Sequence, residues 1–210
     1  AIERVRQTFL DDQYRNENSS LGGWSIRYDT LNKLETIMNE PSDTGMRKVM
    51  DNFWNAWSDL SQDPQDVTNR KIVKETTLAL TDALNQTSKQ LDALDSDLTN
   101  NITLKTTEMN SLLQSVVDLN GNITKLESLG DNPNDLRDQR DYAIDKLSKL
   151  ANVQVTQLDN GYQVTVAGQI VVTGSELTPV TADGLQAAFT GGTLTGGEVY
   201  GMVLSRDRYV

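Results

Sequence analysis

The 210-residue chain has no cysteine and no histidine. The first absence excludes disulfides, thiol catalysis and cysteine-based zinc sites. The second removes the commonest general base and metal ligand, and with it any Ser-His-Asp triad. Aromatic residues make up 6% and hydrophobic residues 37% of the chain, which suits a helical protein with much surface for its volume. No stretch approaches the ~20 apolar residues of a membrane-spanning helix, so no membrane insertion is expected. There are only four prolines, hence few points where a helix must stop. The net charge of −11 argues against holding nucleic acid or anionic lipid by bulk attraction. The acidic residues are dispersed among Asn, Gln, Ser and Thr, a pattern of solubility rather than of calcium binding.

What the chain does have is a leucine rhythm. Leu84, Leu91, Leu98, Leu112, Leu119 and Leu126 recur every seventh residue, with Lys105 the one break. Such a repeat marks the seam of a helix packed lengthwise on others. In its second half Leu98, Ile102, Met109, Leu112, Val116, Leu119, Ile123 and Leu126 alternate by three and four. In its first half the partner row shifts to Leu80 and Leu94, so the apolar stripe turns near Leu98.

Periodicity predicts helices over about 2–39, 44–61, 64–129 and 133–150. Ile2, Val5, Phe9, Leu31, Leu34, Ile37 and Met38 mark the first, which Gly22 and Gly23 are expected to kink or interrupt. Glu40-Pro41-Ser42-Asp43 ends it. Phe53 and Trp57 lie on the apolar stripe of the second helix, beside Trp54, and are read as core anchors rather than a ligand site. Asp63 is the expected N-cap of the long helix, with Pro64 at its first position. Asn132-Pro133-Asn134-Asp135 repeats that start signal, and the short link implies an antiparallel helix pair.

At residue 152 the period changes to two. Val153 and Val155, Tyr162, Val164 and Val166, then Ile170–Val172 predict strands, with turns at Asp159-Asn160-Gly161 and Ala167-Gly168. A further strand is expected at Leu185–Phe189, and a helix from Glu198 onward. The domain reading is therefore a helical rod over 1–150, a β-rich part over 151–197 and the start of a truncated helix over 198–210. The fold class is mainly α with a small β part: an elongated antiparallel bundle of long helices with an appended hairpin or small antiparallel sheet.

Tests for chemistry find no catalytic, cofactor-binding or metal site. Asp131–Asp135 lacks the ligand spacing and closing Glu of an EF-hand. The paired glycines at 191–192 and 196–197 are followed by no GK[ST]. The sequons at Asn85, Asn101 and Asn122 fall inside the long helix. Arg137, Asp138, Arg140 and Asp141 form a dense charged face. Either Arg137 and Asp141 pair on the surface for about 0.3–0.5 kcal/mol, or Asp138 or Arg140 reaches under the β-hairpin and fixes it.

One ordered set of segments is recognisable. Asn134-Asp135-Leu136-Arg137-Asp138-Gln139-Arg140-Asp141 is followed by Leu147-Ser148, Val153-Gln154-Val155 and Asp159-Asn160-Gly161-Tyr162. Upstream lie Phe9-Leu10-x-x-Gln13-x-Arg15, Glu40-Pro41-Ser42-Asp43-Thr44-Gly45, Phe53-Trp54, Leu60-Ser61-x-x-Pro64 and Arg70. This set resembles the family of the first hook-associated protein of bacterial flagella, FlgK. The resemblance implies a structural, non-enzymatic subunit at the junction of hook and filament, needed for filament assembly and using no cofactor. It implies a homo-oligomeric ring with the hook protein and the second junction protein as neighbours. It also implies a dedicated export chaperone acting on a missing terminal segment, and an extracellular location reached through the flagellar export apparatus. On this reading the chain is a core fragment without the family's terminal segments. Another axial flagellar protein (the second junction protein or a flagellin) fits the Arg-Asp helix and hairpin less well, and a coiled-coil adhesin stalk fits the turning stripe less well.

Overall fold

The protein is described by a computed structural model for residues 8–39 and 45–210. The expected helical positions Ile2 and Val5 and the segment Glu40–Thr44 lie outside those residues. The described elements are α1 (Thr8–Met38), α2 (Met46–Gln62), α3 (Val67–Ser128), α4 (Asn134–Leu150), β1 (Val153–Leu158), β2 (Gly161–Val166), β3 (Gln169–Thr173), β4 (Glu176–Leu177), α5 (Ala182–Thr190) and α6 (Glu198–Arg208). The class is mainly α with one small antiparallel sheet, in strand order β1-β2-β3-β4.

Two local expectations are corrected. Leu185–Phe189 is not a strand but lies within α5. Thr181 caps that helix by accepting the Gly184 N–H at 3.0 Å, and Leu185 and Ala188 turn to the interior at helical spacing. A short apolar run next to glycines reads equally well as either element. Asp63 and Pro64 precede α3 instead of opening it. Asp63 Oδ1 accepts the Gln65 N–H at 3.2 Å in a turn, and Asp66 takes the cap, accepting Thr68 N–H at 2.7 Å. The Asp66 side chain thus meets a donor that the helix cannot satisfy itself.

In the sheet, β2 pairs with β1 in continuous register from Val153↔Val166 to Leu158↔Gly161. The β2–β3 turn is Ala167-Gly168, with φ of 50° and 80°. Positive φ at both central residues gives a two-residue turn the twist of its strands.

The chain divides into two compact units. One gathers the chain up to Tyr28 with Leu98–Tyr209; the other holds Asp29–Asp97. The division falls at the point on α3 where the apolar stripe turns. In the first unit the core is Met109, Leu113 and Val116 of α3, Ile144 and Leu147 of α4, Val164, Val166 and Val172 of the sheet, Leu185, Val199 and Val203. Each such side chain contributes about 1.5–3 kcal/mol by leaving water. The second unit buries Thr30, Ala56, Val73 and Leu94. Within it, Lys33 joins Asp29 at 3.1 Å and Asp97 at 3.7 Å.

The expected aromatic anchor in this second unit is also corrected. Phe53 is half-buried, but Trp57 is 47% and Trp54 64% exposed. Phe53 stacks edge-on against both rings, and Ala56, on the same helix, is the buried position.

Candidate functional site

The features that join helices to sheet all lie in the first unit, and they are built on α3. From Leu98 the buried row runs through Ile102, Thr106, Met109, Leu113, Val116, Asn120 and Ile123. The steps of three and four average about 3.6, the period of a straight helix rather than the 3.5 of a leucine zipper. The predicted leucine seam is therefore only partly the core. Leu98, Ile102, Met109, Val116 and Ile123 are buried; Leu91, Leu112, Leu119 and Leu126 are half-buried; Leu84 is exposed. Leu113 and Asn120 occupy the interior where Leu112 and Leu119 were expected, because a strict seven-residue row drifts sideways on a helix of 3.6 residues per turn.

Asn120 is fully buried. Its Nδ2 donates to Tyr162 O at 3.1 Å and Gly174 O at 2.8 Å. Its Oδ1 accepts the Tyr162 N–H at 3.0 Å and Arg140 Nη1 at 2.9 Å. One side chain thus ties β2, the β3–β4 turn and α4 to α3 with its polar capacity filled. Ten residues earlier Asn110 does the same for the approach to α5: Nδ2 donates to Val180 O at 2.8 Å and Oδ1 accepts Val180 N–H at 2.9 Å. Composition and periodicity miss both asparagines, since a polar residue on an apolar stripe reads as an interruption. The available signal is Asn120 standing in a row that is apolar apart from it and Thr106.

Of the two alternatives for the charged face of α4, the hairpin version holds for Arg140. It is 3% exposed, and its guanidinium lies over the Tyr162 ring at 3.4 Å from the centroid. Burial is the main influence on it and depresses its pKa, opposed by Tyr162 and Asp141. Asp138 is exposed. The expected Arg137–Asp141 surface pair gives way to tertiary partners. Arg137 Nη2 meets Glu127 at 2.6 Å, and its Nη1 bonds Asn132 and Asn134. Asp141, 1% exposed, faces Arg15 at 3.6 Å, and Arg15 also reaches Asp145 at 2.9 Å. Moving from Arg137 to Arg140 carries the partner on α3 back from Glu127 to Asn120, as an antiparallel helix pair requires.

The break in the leucine row has its own role. Lys105 reaches Glu198, in the first turn of α6, at 3.0 Å and Glu108 at 2.9 Å. Glu198 also pairs with Lys149 of α4 at 3.3 Å. Its carboxylate thus sits at the positive end of α6 and links three helices.

Gly22 and Gly23 do not interrupt α1, which is continuous through them. A β-carbon on Gly22 would overlap Lys149 O, and one on Gly201 would come within 2.7 Å of Gly23 O. These glycines are where α1 passes against the end of α4 and the start of α6.

Among the described residues no group of three or more acidic side chains is placed to hold a metal, and no helix is long and apolar enough to cross a membrane. The site is a set of packing and hydrogen-bonding junctions.

The model of the flagellar hook-associated protein FlgK helical domain matches residues 31–209. Flagellar hook-associated protein 1 of Bacillus subtilis (strain 168) is 34% identical over 161 residues, covering 77% of this chain and 32% of that protein. The protein of the same description from Salmonella typhimurium is 25% identical over 178 residues, covering 83% of this chain and 32% of its own length. The structure of the flagellar hook junction protein FlgK from Burkholderia pseudomallei superposes with a TM-score of 0.77 at 24% identity, over 93% of this chain and 39% of that one, which establishes the shared fold. The chain belongs to the FlgK helical-domain family. It spans about a third of the length of the relatives it matches.

Proposed function

We propose that this chain is the helical part of a structural subunit at the junction of the flagellar hook and filament, and that the whole protein is needed for the filament to assemble on the hook. The observation that carries this reading is the match of the family's helical-domain model to residues 31–209. The junctions around Asn120, Arg140 and Glu198 support it, because they commit polar side chains to joining elements. We take its chemistry to be packing rather than catalysis.

The same reading sets the finer expectations. The subunit forms a closed homo-oligomeric ring in the flagellar axis, between the hook protein and the second junction protein. Weak lateral contacts suffice, since a ring makes many at once. It is exported through the flagellum's own secretion apparatus, assisted by a dedicated chaperone, and works outside the cell. A strain deleted for the full-length gene tests this. The expected phenotype is intact hooks without filaments and unpolymerised flagellin in the medium. Normal filaments in the deletion strain overturn the proposal.

A further inference from the structure

Arg140 poses a problem that the hairpin junction does not solve. It is a buried cation, 3% exposed, yet among the described residues the side chains it meets at hydrogen-bonding distance are the neutral Asn120 and Tyr162. The tyrosine face beneath it supplies only a quadrupole. Its Nε is buried with no hydrogen-bond partner among the described residues. Asp141 and Glu127 act on it through space, but Asp141 also faces Arg15 and Glu127 is also held by Arg137, so each carboxylate is shared between two guanidinium groups. A charge taken out of water is normally matched by an opposite charge.

Arg140 also lines a cavity of about 460 Å³ with Arg137, Thr124, Gln157 and Tyr162, and Glu127 at its wall. Arg137 and Glu127 neutralise each other, so Arg140 leaves the cavity with a net positive charge. Thr124 offers a hydroxyl donor, while the Gln157 amide is already donated to Leu158 O and Gly161 O. The space exceeds what a water or two would fill.

We propose that this cavity is a binding site for a small oxyanion, a carboxylate or a phosphate group, received by Arg140 with Arg137 beside it. A guanidinium presents donors in a planar fork that matches either oxyanion. The group is either a free anion or an acidic side chain of another protein chain; the chemistry is shared. The depressed pKa of Arg140, caused first by burial, is the cost that such an anion would offset.

The test is a ¹H–¹⁵N titration of the chain at constant ionic strength with inorganic phosphate, with acetate, and with a short acidic peptide, chloride serving as the control anion. The Arg140 Nε–H resonance and the amides of Gly161 and Tyr162 should shift and saturate below about 10 mM of at least one oxyanion, with chloride inert. Saturation by phosphate or acetate identifies a free anion as sufficient. Saturation by the peptide alone identifies an acidic side chain. Arg140→Lys should retain the helical circular dichroism and weaken binding by about tenfold, because an ammonium cannot present the fork. If Arg140→Lys does not fold, Thr124→Val, at the cavity wall, should weaken binding several-fold while the fold persists. Unmoved resonances with all three probes, or unchanged affinity in the variant that folds, overturn the proposal.

Discussion

Asn120 and Gly161 stand so close that a β-carbon on the glycine would lie 2.7 Å from the asparagine's Cγ. Gly161 also has a φ of +121°, which a side chain disfavours. Gly161→Ala should therefore destabilise the chain by about 2–3 kcal/mol, from backbone strain together with displacement of Asn120. Gly130, with φ of +89° and open space around it, isolates the backbone cost: Gly130→Ala should lose only about 1 kcal/mol. Urea unfolding of the two variants measures the difference.

Helix α1 offers the reverse of a propensity rule. Alanine is the better helix former by about 1 kcal/mol, yet Gly22→Ala should destabilise, because its methyl would overlap Lys149 O. Gly121→Ala should stabilise by about that same 1 kcal/mol, since nothing lies within 4 Å of the new β-carbon. Thermal unfolding should move the two midpoints in opposite directions.

Lys105 gives a pH dependence with a definite sign. Burial works against its charge, but the hydrogen bonds and charges of Glu108 and Glu198 outweigh burial and raise its pKa above the ordinary lysine value. A base whose pKa is raised on folding contributes stability below its unfolded pKa and loses it as pH rises through the folded one. Lys105→Met should cost about 1 kcal/mol. That deficit relative to wild type should stay constant across neutral pH. It should shrink only above the usual lysine range of about 10.4.

The long elements were readable because their signals are dense. Val67–Ser128 contains no proline and a single glycine, Gly121, so nothing in it competes with the helical period. The hairpins were equally plain at Asp159-Asn160-Gly161 and Ala167-Gly168. What escaped depends on neighbours distant in sequence. Asn120 reads as a gap in the stripe until Tyr162 and Gly174 are seen to fill its valences. Arg137 and Asp141 have the spacing of a surface pair, but tertiary partners at Glu127 and Arg15 win. Gly22 and Gly23 look like helix breakers because the backbone they admit lies far along the chain. The leucine row is the subtlest case: a sevenfold repeat and a buried face coincide at Leu98, then drift apart by Leu112 and Leu119.

The central structural claim is that side chains of one long helix hold the sheet segment in place, and amide hydrogen exchange tests it most directly. The Tyr162 N–H is bound by Asn120 Oδ1 and the Val180 N–H by Asn110 Oδ1. In the native chain both amides should exchange slowly. In Asn120→Ala, expected to cost about 3–4 kcal/mol through stranded backbone groups, Tyr162 should lose protection by more than the global loss of stability, while Val180 should lose only the global amount. Fast exchange at Tyr162 in the native chain, or equal losses at the two amides in the variant, would contradict the account.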